Sequence, residues 1–260
     1  MRAVGTAARI IATNQHLPSR ANRRKSTQLV STMAALSSSL ERPLSMAEKL
    51  QARVDACNTI TPEEAKESYV PFVVNGDAVG ALQPWFARAL VDACGPKTLV
   101  WDDEASATSG KVTGTVRFAD GLDTTDKRSE ALAPGLRKLS DDGIITGWRN
   151  EIFPVTTGYG VVPSVRIERA AASLLGVRAY GVHVNGYVTL SDGSHELWVG
   201  KRASNKQTFP SKLDHLVAGG LPDGLPPSEC VVKECAEEAS VPRALAERAK
   251  SVGVVSYAMN

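Results

Sequence analysis

Residues 218–241, AGGLPDGLPPSECVVKECAEEASV, constrain the fold more than any other stretch of this 260-residue chain. The glycines at 219 and 220 end any strand that reaches them. Pro226 and Pro227 suit the entry to a helix, where a missing N–H costs nothing. Between these limits lies a loop, and after it a helix from about Pro226. At about 100° per residue, Val231, Val232, Cys235 and Ala239 form a core face. Glu234, Glu237 and Glu238 form a separate carboxylate face, and Lys233 is expected to point away from it. Like charges at i, i+3 and i+4 repel by about 0.2–0.5 kcal/mol per pair. A hard divalent cation removes that repulsion, so the trio is either a metal-binding set or a solvated acidic face.

The rest of the chain is organised around this element. Basic residues number 30 and acidic ones 28, but residues 1–40 hold six basic residues and no Asp or Glu, amid Ser, Thr and Ala. Such a leader has the composition of an organelle transit peptide. We read 1–45 as a transit peptide or disordered leader. Beyond residue 40, 24 basic face 28 acidic residues, a mildly acidic body unsuited to nucleic acid. No apolar run approaches the roughly 18 residues a membrane span needs. The four cysteines make no CxxC pair, and reduced thiols are expected.

Local patterns predict an N-terminal α/β domain over 46–176 and a second domain over 177–260. In the first, Ser45 is a candidate N-cap for a helix, and Asn75-Gly76 a tight hairpin turn. GKVTGTVRFA alternates as a strand. KRSEALAPGLRKLSDDGI predicts a helix closing at Asp142-Gly143, with or without an interruption at Pro134, and VRIERAAASLLGV a compact helix stopped at Gly176. In the second, two strands flank Asp192-Gly193, and KLDHLVAGG is a short strand ending in the paired glycines.

The quoted stretch resembles the Nudix box, G-x5-E-x7-R-E-U-x-E-E-x-G-U, where U is aliphatic. Gly219, Glu234, Glu237, Glu238 and Val241 fall on its positions without an insertion. Leu225 replaces the first glutamate, Lys233 the arginine, Cys235 an aliphatic residue and Ser240 the last glycine. In the family that glutamate and arginine brace the loop against the helix. Both differ here, so the bracing is expected to differ too. DGIITGWRNEIFPV, IERAAASLLGVRAYGVHVNGYV and LWVGKRASNKQTFPSKLDHLVAGG extend the resemblance over about 46–260. They resemble the Nudix subfamily related to the N-terminal half of a fungal thiamine pyrophosphokinase, which has plant plastid members.

That resemblance implies a small α/β domain followed by a Nudix α/β/α sandwich, here short at its C-terminus. It implies hydrolysis of a small-molecule diphosphate with Mg²⁺ or Mn²⁺, with oxidised thiamine diphosphate as substrate and the monophosphate as product. Glu234, Glu237 and Glu238 would be both metal ligands and catalytic residues. Lys201, Arg202, Trp148, Arg149, Gly219 and Gly220 would form the substrate site, with Lys201 and Arg202 meeting a phosphate or serving as ordinary surface charge, and Trp148 stacking on a heteroaromatic ring or serving as a core residue. A nucleotide-diphosphate hydrolase and a shortened, non-catalytic product are the alternatives. Chloroplast is placed ahead of mitochondrion; the oligomeric state is open. His183, His195 and His215 lack metal-ligand spacing, and GYGVVP at 158–163 ends on Pro163 where a dinucleotide fingerprint needs glycine.

Overall fold

Strand β1 (Arg2–Thr6) and helix α1 (Met46–Asp55) open the computed structural model, which describes residues 2–6, 43–57, 61–102, 114–206 and 209–258. The described residues fall into two compact units, one from 1–9 and 58–260, the other from 10–57. In the second unit, α1 begins at the expected cap. Ser45 Oγ accepts from the Glu48 N–H at 3.2 Å while Glu48 accepts from the Ser45 N–H at 2.7 Å, a closed capping box.

The larger unit continues with α2 (Pro62–Ser68), β2 (Val70–Val74) and β3 (Asp77–Leu82). Asn75 and Gly76 join the two strands at φ 52° and 85°, the left-handed pair a tight hairpin requires. Helix α3 (Pro84–Cys94) and strands β4 (Leu99–Asp102) and β5 (Thr115–Phe118) follow, giving a sheet of order β3-β2-β5-β4. Val70, Phe72 and Val74 alternate into the interior from β2.

Helix α4 (Thr125–Asp141) is the helix expected there and runs unbroken through Pro134. Its N-terminus is capped by Thr124, and Leu132, Leu136 and Leu139 bury on either side of the proline. Apolar anchoring thus outweighs one missing hydrogen bond. Strands β6 (Ile152–Val155) and β7 (Val165–Glu168) pair antiparallel. This corrects the helix read over VRIERAAASLLGV. Val165 and Ile167 alternate inward as a strand, and only a 3₁₀ turn (Arg169–Ala171) follows. Gly176 does take φ +58°, and a β-carbon there would lie 2.0 Å from the Ala81 carbonyl oxygen, so close passage to β3 explains the glycine.

Strands β8 (Arg178–Val184), β9 (Gly186–Thr189), β10 (His195–Trp198), β11 (Gly200–Lys201), β12 (Leu213–Asp214) and β13 (Val217–Gly220) come next. Helices α5 (Pro227–Ala239) and α6 (Arg243–Ala246) and strand β14 (Val255–Ala258) complete the order. A second sheet runs β13-β8-β1-β14. Within the stretch read as a leader, Arg2–Thr6 therefore forms a strand, parallel to β8; 7–42 lie outside the described residues. One large buried cluster spans Val70–Val177, and two small ones lie between α5 and the second sheet. The α/β class expected from the sequence is borne out. Among the described residues no helix is long and apolar enough to cross a membrane.

Candidate functional site

Helix α5 starts where the prolines require, with Pro226 as N-cap and Pro227 in the first turn. Cys230, Val232 and Cys235 bury against the second sheet. Glu234 is buried with them at 9% exposure, whereas Glu237 and Glu238 are exposed. The carboxylate face is therefore split, with one member seated and two in solvent.

Gly219 makes the seat. A β-carbon there would lie 2.1 Å from Glu234 Cδ and 2.6 Å from its Oε1, so only glycine lets the carboxylate lie against β13. Glu238 Oε2 accepts from the Ala218 N–H at 3.1 Å, tying the helix to the edge of the same strand. Lys233 Nζ donates to Glu234 Oε1 and Glu237 Oε2, each at 3.1 Å. This corrects the expectation that Lys233 points elsewhere: its long stem lets the ammonium swing onto the carboxylates. Burial works against the charge of Lys233, but hydrogen bonds to both glutamates outweigh it and raise its pKa.

The ammonium is a stand-in cation, and its position tests the fit of a metal. Two of the three carboxylates already converge on one positive charge, and all three offer hard oxygen donors. Among the described residues no group of three His, Cys, Asp or Glu side chains is placed to hold a metal ion, so Glu238, turned to the Ala218 N–H, stands apart from the other two. Carboxylate oxygens are the donors preferred by a divalent ion that keeps water and shares substrate oxygens, as Mg²⁺ does.

Between the glycines and α5, the loop is braced in its own way. Arg166 Nε donates to Asp223 Oδ2 at 2.6 Å, and Arg166 Nη1 to Asp126 at 2.8 Å. The Asp223 N–H donates to the Ile152 carbonyl at 2.8 Å. Leu225 joins Val182, Leu221 and Cys230 in a small apolar cluster. Glu229 pairs with Arg243 of α6 instead of joining the carboxylates. At the far end, Ser240 takes φ +52°, the left-handed exit otherwise reserved for glycine.

Beside the glycines lies a cavity of about 440 Å³, lined by Arg149, Arg169, Tyr180, His183, Gly219 and Gly220 among others. Arg149, Gly219 and Gly220 are thus brought together as expected. Trp148, Lys201 and Arg202 are not among the lining residues. Trp148 packs against the main core, donates to Asn150 at 2.9 Å and carries the Arg137 guanidinium 4.9 Å from its ring centre. Lys201 is exposed on β11, and Arg202 binds Asp214 at 2.8 Å.

Arg169, Tyr180 and His183 escape a linear reading. Alternation across Val165–Glu168 is the one signal that would have put Arg169 at a strand end. His183 Nδ1 is buried with no hydrogen-bond partner among the described residues, and its ring lies 4.6 Å from that of His215. Burial, and then the neighbouring His215, push its pKa down.

A family model described as a domain of unknown function, DUF4743, matches residues 49–179. Two Arabidopsis thaliana proteins are similar over 205 residues, 79% of this chain and 53% of each relative. They are named "Nudix hydrolase 24, chloroplastic", 42% identical, and "Nudix hydrolase 20, chloroplastic", 40% identical. An uncharacterised protein of Saccharomyces cerevisiae is 42% identical over 117 residues, 44% of this chain and 33% of that one. The chain thus spans about half the length of the plant relatives it matches, which bear out the resemblance to plant plastid Nudix proteins.

Proposed function

The chain belongs to the DUF4743 family, and on that premise we propose that it is a Nudix-type hydrolase of an organic diphosphate. The observation that carries this reading is the seating of Glu234 on Gly219, with Glu237 drawn to the same cation through Lys233. The names of the plant relatives agree with it.

The reaction is attack of a water oxygen on phosphorus, with cleavage of the P–O–P bridge and release of two phosphate products. A divalent ion such as Mg²⁺, held by Glu234, Glu237 and Glu238, would neutralise phosphoryl oxygens and lower the pKa of bound water. The chain's own residues supply position. Glu234 is seated against β13, Glu238 accepts from the Ala218 N–H, and exposed Glu237 is tied, among the described residues, only to the Lys233 ammonium. Lys233 holds Glu234 and Glu237 on one ammonium.

The finer reading is that the substrate is oxidised thiamine diphosphate, cut to the monophosphate, and that the protein acts in the chloroplast. Support comes from the subfamily resemblance, from the acid-free stretch 1–40 and from the chloroplastic names of the two relatives. The test is hydrolysis of oxidised thiamine diphosphate, thiamine diphosphate and nucleotide diphosphates with Mg²⁺, read by mass spectrometry. Wild type is compared with Glu237→Gln/Glu238→Gln. Monophosphate from wild type alone is expected, and no turnover from folded wild-type protein would overturn the hydrolase reading.

A further inference from the structure

The charged side chains that line the cavity are of one sign. Arg149 and Arg169 line it, with His183 beside them, and no Asp or Glu does. Both arginines hold donors in reserve. Among the described residues, the Arg149 guanidinium meets no hydrogen-bonding partner, and Arg169 uses only Nη1, on Glu151 at 2.6 Å. Arg169 is nevertheless fixed. Its guanidinium carbon lies 5.4 Å from the Phe153 ring centre, and a β-carbon on Gly220 would come within 3.3 Å of that carbon. Gly220 thus keeps room for the guanidinium as Gly219 keeps room for Glu234. Successive strand residues face opposite ways, so carboxylate and cation sit on the two faces of one strand.

A buried anchor holds the two arginines in register. Glu168, 5% exposed, accepts from the backbone N–H groups of Arg149 at 3.0 Å, Glu151 at 3.2 Å and Ala170 at 3.3 Å. One carboxylate therefore clasps the loop that carries Arg149 to the turn that carries Arg169. Small residues, Gly181, Gly219 and Gly220 among them, let a ligand approach the backbone closely.

We propose that this cavity is an anion pocket in which Arg169, assisted by Arg149, binds phosphate oxygens of an organic diphosphate. The segment matched as a domain of unknown function, 49–179, then supplies the arginines of that pocket. The planar guanidinium fork suits phosphate oxygens, and the volume suits a coenzyme-sized ligand. That the anion is a substrate rests on the hydrolase reading; the pocket itself does not.

The test is isothermal titration calorimetry of the full chain with methylenediphosphonate, whose bridge water cannot cut, in EDTA. Binding to wild type is expected, weakened about tenfold by Arg169→Ala and less by Arg169→Lys. Glu151→Gln releases the guanidinium from its carboxylate and is expected to tighten binding by about threefold. It reads the same contact should Arg169→Ala fail to fold. Absence of binding to wild type, or equal binding by all variants, overturns the proposal while leaving turnover on the substrate panel untouched. Binding that follows Arg169 with no turnover on that panel keeps the pocket and removes the hydrolase.

Discussion

Gly219 and Glu234 share one space: the position of a β-carbon on the glycine is 2.3 Å from Glu234 Cγ. Gly219→Ala must therefore push a buried carboxylate out of its seat. We expect hydrolysis to fall by about 100-fold, with a stability loss of about 1–3 kcal/mol. Turnover assays and calorimetric melting separate the two effects. Wild-type turnover in this variant would mean that Glu234 acts equally well from another position.

Ser240 occupies a conformation that disfavours any side chain. Ser240→Gly is expected to stabilise the protein by about 1 kcal/mol, raising Tm by roughly 2–4 °C. An unchanged Tm would mean that the serine side chain returns as much as the strained backbone loses.

Lys233 bridges Glu234 and Glu237, two of the three carboxylates in the proposed metal set. Lys233→Gln leaves Glu234 and Glu237 without their shared ammonium, so metal-free stability should fall by no more than about 1 kcal/mol at this partly exposed pair. Mg²⁺ should then raise Tm at lower concentration than in wild type, because its competitor is gone. A Mg²⁺ titration followed by thermal unfolding gives the answer, and a higher Mg²⁺ requirement would contradict it.

Burial pushes the Cys94 thiol up to about 12 and the Cys230 thiol up to about 11, and raises Cys235 as well. At pH 8 native protein should therefore react with iodoacetamide at exposed Cys57, and at the other three only after unfolding. The sign for stability follows from protonation. A thiol whose pKa is raised by folding stabilises fully below its unfolded value near 9, and that contribution is lost as pH rises through 11 and 12. Melting temperatures measured from pH 7 to 11 should decline above pH 9.

Much of this arrangement is legible where the backbone has one option. Asn75-Gly76 suits a left-handed pair, Pro226-Pro227 opens α5, and Ser45 with Glu48 caps α1. Val165–Glu168 is different. Four residues with two β-branched positions suit either a strand or part of a helix, and pairing with Ile152–Val155 decides. Lys233 misleads because a helical wheel fixes the α-carbon, whereas a flexible stem decides where the ammonium goes. Arg149, Arg169 and His183 converge only through strand packing, which no local spacing encodes.

The tie from Arg166 to Asp223 makes the glycine loop and its helix inseparable from what precedes them. They are not a portable cassette. Cut at residue 177, the C-terminal portion would lose the mooring of its loop and the arginine wall in one stroke. A chimera that exchanged this portion between relatives would have to carry both sides of that tie, or leave both in place.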